Sequence, residues 1–117
     1  MDYKEIIEHI KKENGEVPKP IQALGNLDES LVINHIMDKK FVMSKQTIPG
    51  KYKALILLSA AIALDAQTCI LNNTKLAKKN GATVEEIMET FALAKFSKAA
   101  TTLSNSTPAF EWLLANK

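Results

Sequence analysis

A nearly continuous apolar segment, Ala54–Leu64, constrains the fold of this chain more than any other feature. Only Ser59 interrupts it, so a helix over these residues has almost no polar face to turn towards water. A helix that is apolar on every side must be enclosed by the rest of its domain or by other subunits. With 117 residues the chain has few other helices to enclose it. The segment therefore predicts a core helix and also self-association.

Helical periodicity extends along most of the chain. Apolar residues recur at spacings of three and four, with no strand-like alternation and no internal repeat. The predicted helices are Tyr3 to about Asn14, a single turn at Ile21–Leu24, a helix after Asp28 to about Met43, Lys51–Leu64, a helix after Asp65 to Lys79 or Asn80 with Gly81 behind it, one from Thr83 to about Ala99 or beyond, and a short one after Thr107. This pattern predicts a single all-α domain over residues 1–117.

Polar residues that suit helix starts support these boundaries. Asp28, Asp65 and Thr107 are predicted N-caps, because a short side-chain oxygen can accept from the unpaired N–H groups of the first turn. Thr83 and Glu86 have the spacing of a capping box, in which each residue's side chain bonds the backbone N–H of the other.

Composition excludes several classes of site. All fifteen basic residues are lysine, so no arginine can grip a carboxylate or phosphate bidentately. The formal charge of +2 gives no reason to expect nucleic-acid binding. A single cysteine excludes an intrachain disulfide, and with only two distant histidines no metal-ligand spacing is present. We expect neither a metal nor a cofactor.

The apolar segment is too short to cross a membrane. Ala54–Leu64 covers about half of the roughly 20 residues that a spanning helix needs. The first residues, Met1–Lys4, do not open an apolar signal region. We therefore expect a cytoplasmic protein that does not bind membranes.

Cys69 is the first candidate for chemistry. It is predicted to lie near a helix start, where backbone N–H groups and the helix dipole favour the reactive thiolate. Asn73 lies one turn further on the same face and Asn72 lies beside it, so the three can line a small polar patch. Thr68, Asn72 or Asn73 could hydrogen-bond an oxidised sulfur. The alternative is that Cys69 is a small buried apolar residue.

His35 is the second candidate, as a base or a substrate-binding group. It follows Leu31 by one helical turn and is expected to be partly buried, whereas His9 lies among charged residues. Pairing with Cys69 would require a geometry that sequence spacing does not define. The alternative is a histidine with a purely structural role.

The stretch from Lys51 to Phe91 resembles the carboxymuconolactone decarboxylase and alkylhydroperoxidase (AhpD-like) superfamily. Lys79-Asn80-Gly81-Ala82-Thr83 matches the family's K-x-G-A-T ending, and Glu85-Glu86-Ile87 matches the E-E-I that opens the next helix. The resemblance implies an AhpD-like helical fold of about five or six helices. It also implies a homo-oligomer, a trimer or a hexamer.

The thiol branch of that family carries the motif E-x(11)-C-x-x-C-x-x-x-H. Aligned here, the second cysteine falls on Cys69, but Ala54, Ala66 and Asn73 stand where the glutamate, the first cysteine and the histidine would be. The resemblance implies a peroxiredoxin-type, alkylhydroperoxidase-like antioxidant that uses Cys69 and an external thiol reductant.

Two alternatives stay open at this point. One is a lactone decarboxylase or isomerase acting on a small carboxylated ring, in which Lys51, Lys53 or Lys95 would bind the carboxylate beside Asn73. The other is a member that keeps the fold without catalysis.

Overall fold

The computed structural model describes residues 1–117 as seven α-helices with no strand. They are α1 (Tyr3–Asn14), α2 (Lys19–Leu27), α3 (Glu29–Met43), α4 (Gly50–Ala63), α5 (Gln67–Lys79), α6 (Val84–Asn105) and α7 (Thr107–Ala115). The all-α prediction is confirmed, with more helices than the five or six expected. The single turn predicted at Ile21–Leu24 is instead a nine-residue helix, because Pro20 stands in its first turn, where the fixed φ of proline favours helix.

The chain divides into two compact units, residues 1–47 and residues 48–117. The first unit contains α1, α2 and α3, and the second contains α4 to α7. The single domain expected over residues 1–117 stays a prediction.

In the first unit, α3 packs against both α1 and α2. Ile6 of α1 and Val32 of α3 are fully buried. The ring of Tyr3 lies so close to Gly25 of α2 that a Cβ there would collide with it. The predicted N-cap at Asp28 is confirmed, since its carboxylate accepts from the backbone N–H of Ser30 at 3.0 Å.

In the second unit, α4 packs against both α5 and α6. The buried core is mainly aliphatic and small: Ala54, Leu58, Ile62, Ala77, Ala82, Ile87 and Ala94. Alanine at the contacts lets helix axes approach closely, so α4 can touch two helices at once. Gly81 has φ +91°, a conformation that favours glycine, and it ends the turn after α5 as predicted.

The enclosure predicted for the apolar helix is only half achieved within one chain. The buried residues of α4 are Ala54, Leu58, Ala61 and Ile62. Ile56 remains 52% exposed and Leu57 38% exposed. Two neighbouring helices, α5 and α6, are too few to surround α4, so part of its apolar surface faces solvent.

The capping box at the start of α6 is confirmed. The Thr83 hydroxyl accepts from the Glu86 N–H at 3.1 Å, and the Glu86 carboxylate accepts from the Thr83 N–H at 2.9 Å. Both bonds satisfy N–H groups that have no partner inside the helix.

The prediction that Asp65 caps α5 is wrong. Ala66 occupies the cap position and makes no side-chain bond. Asp65 has φ +56°, in the left-handed region that aspartate tolerates better than most residues, and its carboxylate accepts from Lys98 of α6 at 2.6 Å. The sharp turn between α4 and α5 uses Asp65 as its left-handed residue, which turns the side chain away from the helix start.

The last helix begins one residue earlier than predicted. α6 runs to Asn105, so Ser106 alone separates it from α7 and takes the cap position expected for Thr107. Thr107 is the first helical residue, and Pro108 lies in the first turn as expected.

Replacing Thr83 by alanine tests the capping box. Thr83→Ala removes an acceptor for the first turn of α6, and the free energy of unfolding is expected to fall by about 1 kcal/mol in urea denaturation. Thr101→Ala is the matched control, because Thr101 is an exposed mid-helix residue whose hydroxyl bonds only the Ser97 carbonyl. It should change stability by less than about 0.5 kcal/mol. Equal effects of the two substitutions would contradict the role of the cap.

Candidate functional site

Cys69 lies in the first turn of α5, two residues after the helix begins at Gln67. Its thiol is free and the residue is exposed, so the buried alternative is wrong. Because Ala66 offers no side-chain oxygen to the first turn, no side chain caps the N–H groups at this end of the helix. Because Cys69 is exposed, small molecules in solution can reach its thiol.

Asn72 and Asn73 share the Cys69 face of α5, as the helical spacing predicts. Asn73 is half-buried, and its Nδ2 donates to the Leu57 carbonyl of α4 at 3.4 Å. Asn72 and Thr68 are exposed. The amide donor of Asn73 thus holds α5 against α4, while its Oδ1 is left as an acceptor one helical turn after Cys69.

His35 lies in α3 of the first unit. It is exposed, so the expected partial burial is wrong. Ile36, the next residue, is the half-buried one, because the buried face of α3 is centred on Val32. A role for His35 at the Cys69 site stays a prediction.

The positions that carry the family's proton relay hold no titratable group here. Ala54 is completely buried in the core of the second unit, Ala66 is the cap residue before α5, and Asn73 bonds α4. No side chain donates to or accepts from the Cys69 thiol. What the site offers chemically is an exposed nucleophile with amide and hydroxyl groups near it and no general base.

Two ion pairs join the ends of α4 to α6. Lys51, in the first turn of α4, donates to Glu86 at 3.0 Å, and Lys98 donates to Asp65, just after α4, at 2.6 Å. The first pair joins the beginnings of the two helices, and the second joins the end of α4 to a later residue of α6. The two helices therefore lie parallel. This pairing fixes where α4 ends, and so where the turn that leads to Cys69 begins.

Glu86 is part of both the capping box and the first ion pair. The Thr83 backbone N–H, and after it the Lys51 ammonium, stabilise the carboxylate and hold the Glu86 pKa below its ordinary value of 4.5. The Glu86 carboxylate in turn raises the pKa of Lys51, chiefly by accepting its hydrogen bond.

An open apolar groove of about 630 Å³ runs between α4 and α6. This α4–α6 groove is lined by Tyr52, Leu55, Ile56, Ser59, Ala60, Ala63, Thr90, Leu93, Ala94 and Ser97. None of them is charged, and none was predicted as a site residue. On sequence alone they are indistinguishable from the core residues of the same helices, so only their exposure reveals the groove.

Two further features are absent from the structure. No three of the histidine, cysteine, aspartate and glutamate side chains come together as a set of metal ligands. The chain contains no helix with the length and apolarity needed to cross a bilayer.

Comparison with known proteins identifies one family. Residues 35–112 match the sequence profile of the carboxymuconolactone decarboxylase family. The matched region covers two thirds of the chain and includes α4, the turn at Asp65 and all of α5 with Cys69. It confirms the resemblance seen in the sequence. No curated protein matches the chain.

The Glu86 ion pair should make stability depend on pH. Since the Glu86 pKa is lower in the folded protein, its contribution is present above about pH 4.5 and is lost as the pH falls through the folded-state pKa. We expect Glu86→Gln to lower the melting temperature at neutral pH, and the difference from the unsubstituted protein to shrink as the pH falls below 4.5 and through the lowered pKa.

Glu89→Gln is the control for this measurement, because Glu89 is exposed and makes no ion pair. Its melting temperature should stay parallel to that of the unsubstituted protein across the same pH range. A Glu86→Gln deficit that does not change with pH would contradict the role given to the carboxylate.

Proposed function

The chain belongs to the carboxymuconolactone decarboxylase family, and we propose that it acts there as a thiol-dependent antioxidant that reduces peroxides at Cys69. One observation supports this most strongly: the only cysteine stands at a motif position of the family's thiol branch and is exposed in the first turn of α5. A thiol that is exposed at a helix start is of the kind that peroxides oxidise.

The reaction begins with attack of the Cys69 thiolate on one oxygen of a hydroperoxide. An S–O bond forms as the O–O bond breaks, and the departing alkoxide takes a proton from solvent and leaves as an alcohol. Cys69 is then a sulfenic acid. An external thiol attacks its sulfur, forming a mixed disulfide and releasing water, and a second thiol reduces that disulfide and regenerates Cys69.

Neighbouring polar groups would hold the oxidised sulfur. The Asn73 Oδ1 can accept from the S–OH proton, because only the amide donor of Asn73 is used by Leu57. The exposed side chains of Asn72 and Thr68 can hydrogen-bond the sulfenic oxygen. These contacts would stabilise the sulfenic acid until a thiol arrives.

The proposed setting follows from the single cysteine. Without a second cysteine in the chain, the reductant is a small external thiol or a cysteine of another subunit, and such thiols stay reduced in the cytoplasm. We place the protein there, as a homo-oligomer of the trimer or hexamer type. The exposed apolar surface of α4 supports self-assembly.

A fold-only role is the alternative that an observation favours. Cys69 has no hydrogen-bond partner, and the relay positions are apolar or amide residues. The decarboxylase alternative has weaker support, because Lys51 is bound by Glu86 and the α4–α6 groove includes neither Asn73 nor any lysine.

Peroxide treatment with a sulfenic-acid trap distinguishes the antioxidant from the fold-only role. We expect the protein to gain one trap adduct at Cys69 by mass spectrometry, and Cys69→Ser to gain none. Because the chain has one cysteine, any adduct mass identifies the site. A Cys69 that stays reduced at neutral pH, in protein shown to be folded by circular dichroism, would contradict the antioxidant function.

Returning the missing cysteine tests whether the family's site geometry is kept. Ala66→Cys places a second thiol one turn before Cys69, and peroxide should then produce an intrachain disulfide, seen as a loss of two hydrogens and of both titratable thiols. Gln67→Cys is the matched control, since position 67 points to a different side of α5 from Cys69. A disulfide that forms equally in both variants, or in neither, would contradict a retained two-cysteine geometry.

A further inference from the structure

The C-terminal end of the chain, residues 99–117, is an apolar segment without a core of its own. We call it the C-terminal arm. Every residue in it is exposed except Ser106, which is half-buried. Its exposed apolar side chains include Leu103, Phe110, Trp112, Leu113 and Leu114. A helix as short as α7 is marginal in water without packing, so the arm needs a surface to lie against.

Within its own chain the arm extends away from the α4–α6 groove. The two ion pairs align α4 with α6 and place the end of α4 beside Lys98. From there α6 continues to Asn105, about 10 Å further along its axis. α7 then packs against α6. No residue of the arm lines the groove, which lies before Lys98, so the arm of the same chain leaves it open.

The groove suits a helix better than a small ligand. It is open along its length, and two of its four hydroxyl groups already donate within their own helices. Ser59 donates to the Ile56 carbonyl at 2.7 Å, and Thr90 donates to the Glu86 carbonyl at 2.8 Å. Phe110, Leu113 and Leu114 share one face of α7 at the spacing that amphipathic helices use to fill apolar grooves.

We propose that the C-terminal arm of one copy packs its Phe110–Leu113–Leu114 face into the α4–α6 groove of a second copy. Neither surface carries a charge that the contact would bury, because the one acidic residue of α7, Glu111, lies off this face. The contact joins two different patches, so it closes as a reciprocal pair or as a ring.

The exposed apolar area is large enough for a stable interface only if both patches of each copy are covered. With about 200 Å², the area of an aromatic side chain, taken for every residue, seven residues present at most roughly 800 Å² per copy at their observed exposures. They are Leu103, Phe110, Leu113 and Leu114 of the arm and Tyr52, Ile56 and Leu93 of the groove. Stable interfaces bury about 800 Å² on each partner.

This inference deepens the proposed self-assembly and does not depend on the thiol reaction. Light scattering measures the assembly alone, and sulfenic-acid trapping measures Cys69 alone, so failure of either proposal is seen separately.

Charged substitutions on each surface test the contact. Leu113→Glu in the arm and Ala60→Glu in the groove should each weaken self-association at least tenfold, measured by size-exclusion chromatography with light scattering at micromolar concentration. Both residues are exposed in the single chain, so helix content by circular dichroism should not change.

Leu93→Ser is a second groove variant in case Ala60→Glu does not fold. Leu71→Glu is the matched control, because Leu71 is 56% exposed and Leu113 is 57% exposed. Leu71 lies on α5, outside both surfaces, so self-association of the Leu71→Glu protein should be unaffected.

Mixing the two variants gives the decisive result. The Leu113→Glu copy keeps an intact groove and the Ala60→Glu copy keeps an intact arm, so a mixture can form one of the two contacts of a reciprocal pair. By native mass spectrometry the mixture should therefore give a mixed pair that is weaker than the unsubstituted assembly but stronger than the association of either variant alone. An unsubstituted protein that is monomeric would overturn the proposal. So would a mixture that associates no better than either variant alone, loss of assembly in Leu71→Glu, or a groove occupied by a small apolar molecule in a monomer.

Discussion

The second unit depends on the packing of one stripe of α4 against small residues of its neighbours. Ala54 and Leu58 meet Ala77 of α5 and Ala94 of α6 in a core with no polar side chain. The small side chains bring the backbones close, and this is why a side chain of α5 can reach a carbonyl of α4, as Asn73 does at Leu57. The position of Cys69 follows from this contact, since the helix that carries it is held by the same packing.

Local rules account for what the sequence predicts well. Helical periodicity and the Thr83–Glu86 spacing involve residues within one or two turns, so the helices and the capping box can be read without knowing the fold. The role of Asp65 differs from its prediction because its carboxylate bonds Lys98, thirty-three residues away, and no local rule includes that contact. The exposure of His35 and Ile56 also differs from the prediction, for a related reason. Whether His35 or Ile56 is covered depends on how many helices surround it, and periodicity gives only the face on which a residue lies.

The candidate site was predicted in part, and its missing members have a packing explanation. Cys69, Asn72 and Asn73 share a face, as their spacing requires. Ala54, by contrast, is a fully buried member of the core. A carboxylate at that position would now be desolvated among aliphatic side chains, at a cost that is large unless a partner neutralises it. Returning a glutamate at position 54 would therefore not restore the relay, because that position belongs to the core of the fold.

The half-exposed state of α4 links folding to concentration. The same helix supplies the core of the second unit on one side and an uncovered apolar surface on the other. Anything that binds this surface binds the folded state and leaves the unfolded chain unaffected, so it raises the free energy of unfolding of the whole unit by mass action. When the covering surface belongs to another copy, the melting temperature becomes a property of the solution as well as of the chain. Dilution then acts on this fold as a mild denaturant.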